Sequence, residues 1–178
     1  MDATSLHHDH VHVSVKPGDA GACAAGTGGV VFPIPEDSGY IDQQNWGKSG
    51  GSWANGHTGT DLSVACGTPV FAATSGTIII DTNAAWSGRW LVQVSTAQGK
   101  LTTWYGHMQA LHVKNGQTVQ AGQHIGDVGG DDRGANAEGN TTGCHLHIEV
   151  HPEGGLIYED NIDPSTWLEQ NVGRNRSA

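Results

Sequence analysis

Five side chains that can bind a metal or move protons occur in three short motifs. His57 and Asp61 lie four residues apart, His107 follows a tyrosine and a glycine, and His145 and His147 alternate in a third motif. Imidazole nitrogens and carboxylate oxygens suit catalytic zinc, which takes three protein ligands and leaves one position for water. A remaining imidazole can act as a general base or stabilise an oxyanion.

Each motif is a weak signal when it is taken alone. A histidine pair on a strand usually belongs to a solvated face, and an isolated histidine such as His107 is more often a surface or hydrogen-bonded residue. A metal site therefore requires that motifs from residue 57 to residue 147 converge in the fold.

The third motif lies on the clearest predicted strand, at residues 144–150. Its aliphatic side chains alternate with polar ones and form one face of the strand: Leu146, Ile148 and Val150. Both imidazoles of the motif share the opposite face, about 6–7 Å apart along the strand. In the first motif two glycines disfavour a helix, and an extended chain places residues four apart on one face. His57 and Asp61 can therefore converge on one point.

Short apolar or alternating runs separated by turns predict an all-β fold for the rest of the chain. The 27 glycines and few charged residues are typical of tight turns and short strands. One short helix is predicted at residues 164–170, with Asp163 as its N-cap and Pro164 at its first position. Strands are predicted at residues 69–74, 76–81, 90–95, 101–105 and 118–128, the last broken at Gly122 and Gly126.

Composition divides the chain into four parts. Residues 1–15 form a His-rich predicted strand, 16–29 a flexible linker, 30–170 the main domain and 171–178 a loose tail. Within the domain, residues 130–143 contain almost nothing apolar and are predicted to form an exposed loop at the mouth of a site.

Charge and hydropathy exclude several classes of function. The chain has 8 Lys and Arg against 18 Asp and Glu, so it lacks the basic stripe that a nucleic acid requires. No apolar run approaches the roughly 18 residues of a membrane-spanning helix. Residues 1–15 lack the basic and apolar regions of a signal peptide, so a signal has been removed or export follows another route.

The order His-x-x-x-Asp, Tyr-x-His and His-x-His resembles the lysostaphin-like family of zinc endopeptidases that act on peptidoglycan. The sequence between these motifs is similar to that family as well. It includes Cys-Gly-Thr-Pro-Val at 66–70, a Gly-Gln-Thr-Val run at 116–119, Thr-Gly-Cys-His-Leu-His-Ile-Glu-Val at 142–150 and Ile-Asp-Pro at 162–164. The resemblance covers residues 30–170, and the joint motif is highly specific.

The resemblance implies one zinc ion per chain, held by His57, Asp61 and His147. It implies that His145 is the general base for the attacking water, and that His107 supports this water or the tetrahedral oxyanion. The implied fold is a small antiparallel β-sheet domain with an active-site groove walled by long loops.

Other positions in the domain have less certain parallels in the family. Asn45, Trp53 and Asn55 are candidate substrate contacts in the groove, although residues 45–55 match the family only loosely. Trp104 is interpreted as a packing residue. Three further histidines match no family role and are interpreted as surface or structural residues: His112, His124 and His151.

The three cysteines allow at most one internal pair. Cys66 and Cys144 flank the implied site, so converging ligands would bring them near the Cα–Cα distance of about 4.4–6.8 Å that a disulfide requires. The alternative is two buried free thiols. Cys23 lies in the linker and is interpreted as free or used in an intermolecular bond.

The His-rich start resembles the last strand of another type of wall-peptidase domain that ends in His-x-His. The other ligands of such a domain are absent, so residues 1–15 are interpreted as its remnant within a longer polypeptide, such as a phage tail or lysis protein. A leader without function and an adventitious metal-binding segment remain as alternatives.

The function implied by the resemblance is zinc-dependent hydrolysis of peptidoglycan stem peptides or cross-bridges, outside the cell or on a virion. The alternative is a non-catalytic peptidoglycan-binding or hydrolase-activating module, which retention of all five residues disfavours. A biotinyl-type carrier is discounted because no lysine follows Lys114. Both a Gly–Gly bridge and a D-Ala–diaminopimelate bond are candidates, with the second favoured. We expect a monomer whose partners are peptidoglycan peptides, not nucleic acid or membrane.

Overall fold

The computed structural model describes residues 29–51, 53, 55–82, 85–96, 99–130, 141, 143–153 and 158–173. The predicted His-rich strand, the linker up to residue 28 and Cys23 lie outside these ranges. So do most of the predicted loop at 130–143 and the last five residues of the predicted tail.

Short antiparallel strands make up most of the described chain, and one helix closes it. The strands are β1 (Ile41–Asp42), β2 (Thr60–Ser63), β3 (Pro69–Phe71), β4 (Gly76–Asp81), β5 (Leu91–Ser95), β6 (Leu101–Gly106), β7 (Met108–Leu111), β8 (Thr118–Val119), β9 (His124–Val128) and β10 (His145–Pro152). The helix α1 spans Pro164–Asn171, and a single 3₁₀ turn spans Ala85–Ser87. The predicted all-β fold with one short C-terminal helix is confirmed.

The strands form two sheets. The larger sheet has the order β1-β2-β10-β6-β5-β4-β8, and the smaller sheet has the order β3-β9-β7. β10 lies between β2 and β6, and its His147 is in register with Asp61 on one side and Gly106 on the other. The three motifs therefore meet at one residue of a central strand.

Both faces of β10 are buried, but they are buried against different surroundings. Leu146, Ile148 and Val150 join a cluster with residues of the smaller sheet, such as Val70 and Ile125, so the aliphatic face packs one sheet on the other. Burying each such side chain contributes about 1.5–3 kcal/mol. The polar face is also covered by protein: His147, Glu149 and His151 are all buried.

Gly126 does not break the chain as predicted but lies inside β9. A Cβ atom at this position would lie 2.6 Å from the Ala110 carbonyl oxygen and 2.7 Å from the Met108 sulfur. The glycine is therefore needed for the close approach of β7, and it does not mark a turn.

The C-terminal helix follows its predicted start and runs one residue further than predicted. Asp163 caps it by accepting a hydrogen bond from the Ser165 N–H at 3.1 Å. Val172, directly after the helix, pairs with Val30 at the start of the domain. Among the described residues no helix is long and apolar enough to cross a bilayer.

Candidate metal centre

Backbone pairing before β2 and within it fixes the first motif. The His57 N–H donates to the Lys48 carbonyl oxygen and the His57 carbonyl accepts from the Gly47 N–H, both at 2.8 Å. Asp61 lies within β2, paired with β10. The two side chains consequently approach β10 from the same edge.

Three ligand atoms converge at the centre of this arrangement. His57 Nε2 lies 3.0 Å from His147 Nδ1, which lies 3.0 Å from Asp61 Oδ1. The third side of the triangle, from His57 Nε2 to Asp61 Oδ1, is 3.4 Å. Tetrahedral zinc with bonds of about 2.0–2.2 Å separates its ligand atoms by about 3.3–3.6 Å, so the donors present fit such an ion with small adjustments.

Partners behind each ligand orient the correct atom toward the centre. His57 Nδ1 lies 3.2 Å from the Asn45 carbonyl oxygen, and His147 Nε2 lies 2.9 Å from Glu149 Oε1. Because these oxygens accept, the contacts place the proton on the outer nitrogen of each ring and turn the other nitrogen toward the centre. Asp61 Oδ2 accepts from Asn45 Nδ2 at 2.8 Å, which leaves Oδ1 for a metal.

A buried polar chain extends from His147 away from the centre. Glu149 accepts from Thr58 Oγ1 and contacts His151 Nε2, each at 2.5 Å. His151 Nδ1 in turn lies 2.8 Å from Asp160 Oδ1. Burial alone would raise the pKa of Glu149, but hydrogen bonds from His147 and His151 outweigh it and lower the pKa to about 2. Glu149 is therefore an ionised carboxylate in the interior.

The carboxylate of the first motif is held ionised in the same way. Burial favours its neutral form, yet hydrogen bonds with His147 and His57 hold the pKa of Asp61 well below its usual range. For His147, burial would lower the pKa, and the hydrogen bonds to Asp61 and Glu149 reverse this and raise it. The two ionised carboxylates, Asp61 and Glu149, thus favour positive charge at this point, either a protonated imidazole or a bound cation.

His145 lies beside the three ligand atoms but is oriented differently. Its Nδ1 lies 2.9 Å from the Gly143 carbonyl oxygen, while its Nε2 lies 3.7 Å from Asp61 Oδ1. Burial lowers the pKa of His145, and the attraction of Asp61 only partly opposes this. At neutral pH its Nε2 therefore carries a free lone pair, as a general base requires.

His107 occupies the junction between β6 and β7, where the chain passes from the larger sheet to the smaller one. It adopts a left-handed backbone with φ of 62°, a conformation that costs a non-glycine residue about 1–3 kcal/mol. Its N–H donates to the Ser87 carbonyl oxygen at 2.6 Å and its carbonyl accepts from Gly129. This backbone conformation places the ring centroid of His107 4.7 Å from the ring centroid of His145.

Two tryptophan rings flank the centre. The ring of Trp53 lies 4.5 Å from the ring of His57, and the ring of Trp86 lies 5.2 Å from the ring of His147. Trp86 comes from the 3₁₀ turn and stays partly exposed. Both can exclude water from the ligands and contact a bound chain.

The remaining candidate contacts have different surroundings. Asn45 is buried and uses its side-chain amide to hold Asp61, whereas Asn55 is exposed. Trp104 is buried and stacks on His151 with ring centroids 4.1 Å apart, which agrees with its interpretation as a packing residue.

Cys66 and Cys144 form a disulfide, with their Cα atoms 5.1 Å apart. Of the two alternatives left open by the sequence, the disulfide is the one present. It links the turn after β2 to the start of β10, next to His145, and so joins the two strands that carry the ligands.

The sequence of the whole region also matches a known family. The profile of Peptidase family M23 matches residues 55–164, more than half of the chain and all three motifs. This chain belongs to peptidase family M23. The predicted resemblance to the lysostaphin-like family is confirmed by the fold. The catalytic domain of lysostaphin from Staphylococcus simulans superposes on this chain with a TM-score of 0.60 at 28% sequence identity. That match covers 73% of this chain and 92% of the other.

Curated relatives of the M23 domain include peptidoglycan hydrolases. The chain is 34% identical over 94 residues to peptidoglycan DD-endopeptidase ShyA of Vibrio cholerae serotype O1, a match to 53% of this chain and 20% of ShyA. It is 28% identical over 142 residues to the L-Ala–D-Glu endopeptidase of Bacillus subtilis, covering 77% of this chain and 42% of that protein. The chain thus spans about a fifth of the length of ShyA.

Sequence reasoning missed the supporting residues of the centre. Glu149 lies two residues after His147 on the same face of the strand, so its proximity to His147 could have been predicted from the sequence. The buried hydrogen bond between the two side chains could not. Thr58 lies between His57 and Asp61 and Trp86 lies outside the motifs, and neither residue type indicated a role at the site. Their positions follow from how the loops fold over the sheet.

Proposed function

We propose that this M23 domain is a zinc-dependent endopeptidase that hydrolyses peptide bonds in peptidoglycan. The observation that carries the proposal is the convergence of three side-chain atoms, from His57, Asp61 and His147, with His145 Nε2 beside them, 3.7 Å from Asp61 Oδ1. Two imidazoles and one carboxylate leave a coordination position free for water, as in catalytic zinc sites. When bound, zinc supplies Lewis acidity: it polarises a carbonyl oxygen and lowers the pKa of water to about 7.

The side chains around the ligands then have separate tasks. His145 accepts the proton of the attacking water at Nε2, because its Nδ1 is already bonded to the Gly143 carbonyl. His107 donates a hydrogen bond to the oxyanion that forms at the scissile carbonyl. Their rings lie 4.7 Å apart, so both can reach one reacting carbonyl.

The walls of the groove bind the substrate chain. Trp53 and Trp86 flank the ligands from two sides and offer aromatic surface to a peptide. Asn55 is exposed at one wall and can bond the peptide backbone. Asn45 acts by holding Asp61 in place, so its effect on substrate is indirect.

We further propose that the substrate bond is a direct cross-link of the D-Ala–diaminopimelate type. ShyA, at 34% identity over 94 residues, is by name a DD-endopeptidase, and that likeness favours this bond over a Gly–Gly bridge. The same substrate places the working protein at the bacterial cell wall.

Muropeptide analysis tests the activity and the bond together. Purified walls with direct cross-links and walls with glycine bridges are digested with the full chain, with and without a chelator, and new termini are read by mass spectrometry. New D-Ala and diaminopimelate termini should appear in the first wall alone, vanish with chelator and return with Zn²⁺. His147→Ala serves as the inactive control. If neither wall yields new termini, the domain is a binding or hydrolase-activating module instead.

A further inference from the structure

Two histidines with no part in the candidate metal centre lie side by side on the smaller sheet. His112 directly follows β7, and its N–H donates to the Ile125 carbonyl oxygen of β9 at 3.0 Å. His124 begins β9, and Asp127 lies three residues further along the same strand. The described residues contain a second group that could hold a metal, and these three side chains form it.

The three side chains present their ligand atoms to one another. His112 Nε2 lies 2.8 Å from Asp127 Oδ2, and His124 Nε2 lies 2.9 Å from Asp127 Oδ1. The two imidazole rings lie 4.3 Å apart at an angle of 46°. Two imidazoles thus meet one carboxylate here, each at a different oxygen, whereas at the first centre His57 Nε2 and His147 Nδ1 both face Asp61 Oδ1.

A backbone irregularity creates this convergence. In a regular strand, residues three apart point to opposite faces. In β9, however, Gly126 pairs with Val70 and His124 pairs with Phe71, so β9 has one residue more than β3 between these pairs. A bulge of this kind re-aims a side chain, and here it turns His124 and Asp127 to the same side.

We propose that His112, His124 and Asp127 form a second zinc-binding site, separate from the catalytic one. Two imidazole nitrogens and a carboxylate oxygen suit Zn²⁺, and water would complete a four-coordinate shell. Burial opposes ionisation of the carboxyl, but hydrogen bonds from His112 and His124 together outweigh it and lower the pKa of Asp127, so the acid ligand is charged.

The solvent exposure of the ligands predicts which of the two sites binds zinc more tightly. The imidazoles of His112 and His124 are 43% and 42% exposed, whereas those of His57 and His147 are 5% and 4% exposed. The outer ligands lose more side-chain entropy and more hydration on binding, so the second ion binds more weakly and exchanges more readily. Once bound, it joins the end of β7 to β9 and stabilises the smaller sheet.

The experiment counts zinc ions on the full chain. Because the leader contains His7, His8, His10 and His12, the reference protein carries these four as glutamine. Zinc content is measured by equilibrium dialysis against excess free Zn²⁺, and the melting temperature is measured across the same zinc range. His112→Gln, His124→Gln and Asp127→Asn are compared with the reference, with Asp37→Asn as the matched control at an exposed carboxylate.

The reference and the Asp37→Asn control should bind two zinc ions per chain, and each cluster variant should bind one. The rise in melting temperature between the first and second equivalent should be lost in the cluster variants alone. The site is overturned if His112→Gln and His124→Gln bind as many zinc ions as the reference. Because the readout is metal content, the result is independent of peptidase activity.

Discussion

His145 and His147 lie two residues apart on one face of β10, yet they turn different ring nitrogens toward Asp61, Nε2 in His145 and Nδ1 in His147. In His147 the outer nitrogen contacts Glu149 and Nδ1 faces the other ligands. In His145 the Gly143 carbonyl takes Nδ1 and leaves Nε2 for the substrate side. In the proposed mechanism these partner atoms, not sequence position, direct one imidazole to the metal and the other to proton transfer.

This assignment predicts different losses for the two alanine variants. His145→Ala should keep the zinc ion at the His57–Asp61–His147 centre while kcat falls by about 10²–10⁴-fold, the range for a general base. His147→Ala should lose zinc as well as activity, because one of three ligands is gone. Zinc content by atomic absorption and turnover of a cross-linked muropeptide measure the two effects. Equal zinc loss in both variants would contradict the division of roles.

Glu149 should control metal affinity without touching the metal. It accepts the hydrogen bond that orients His147, and loss of such a partner typically costs 10–100-fold in metal affinity. Glu149→Gln should therefore weaken zinc binding by about that factor in a chelator competition. Glu153→Gln, on the same segment beyond β10, is the matched control and should bind zinc like the wild type.

The same carboxylate should make stability depend on pH. The pKa of Glu149 is about 2 in the folded protein against an ordinary value of 4.5, so its contribution is full above about pH 4.5 and is lost as the pH falls toward 2. In chelator-treated protein, Glu149→Gln should lower the melting temperature more at about pH 6 than at about pH 3.5. If the difference in melting temperature between the wild type and Glu149→Gln stayed constant or widened on acidification, Glu149 would not be ionised.

At the scale of elements, the register between β2 and β10 sets the geometry of the ligands. Asp61 pairs with His147, and Gly59 lies where β2 begins against β10. A Cβ atom on Gly59 would lie 2.2 Å from the Ile148 carbonyl oxygen and 2.8 Å from His147 Nε2. Since the first of these is a backbone atom, the strands would have to separate.

Gly59→Ala should therefore destabilise the fold and weaken the site together. Overpacking of this kind costs about 1–3 kcal/mol, and the same displacement moves His147, so zinc affinity should fall as well. Gly143→Ala is the control, because a Cβ there meets nothing within 4 Å although Gly143 adjoins the disulfide and His145. Urea unfolding and zinc competition measure both effects. If Gly59→Ala and Gly143→Ala behave alike, the close approach does not matter.

Alternation of apolar and polar residues predicted β10, and apolar β-branched content predicted β4. Neither pattern predicted β7, which follows the left-handed residue His107 and has no alternating pattern of its own. Gly126 was also misread, since a glycine required for close packing looks the same in sequence as a glycine in a turn.

At the scale of the whole molecule, the order of the motifs was sufficient to predict the family and three side chains that the fold brings together, His57, Asp61 and His147. The motif order did not predict the side chains that surround and orient these three residues. Glu149, Thr58 and His151 are buried and bonded to one another because the larger sheet is covered on its polar face. Burial on that scale depends on loops whose paths leave no pattern in the sequence.

The disulfide is the covalent element that holds this architecture together, and its removal gives a last prediction. Cys66 and Cys144 are separated by 78 residues, so the bond restricts a long loop of the unfolded chain. Removing it should lower the free energy of unfolding by about 2–4 kcal/mol. Because the three ligands remain, zinc content at neutral pH should equal that of the protein with the disulfide intact.

The double variant Cys66→Ala and Cys144→Ala is best made with Cys23→Ser, so that no free thiol remains to form new bonds. Cys23→Ser alone is the control. Urea unfolding is measured in chelator and again with zinc, because bound zinc stabilises the folded state in both proteins and would otherwise mask part of the loss. The loss of free energy of unfolding caused by removing the disulfide should be a larger fraction of the total in chelator than in zinc. If the free energy of unfolding in chelator matches that of the control, the two sheets hold the ligand strands together without the bond.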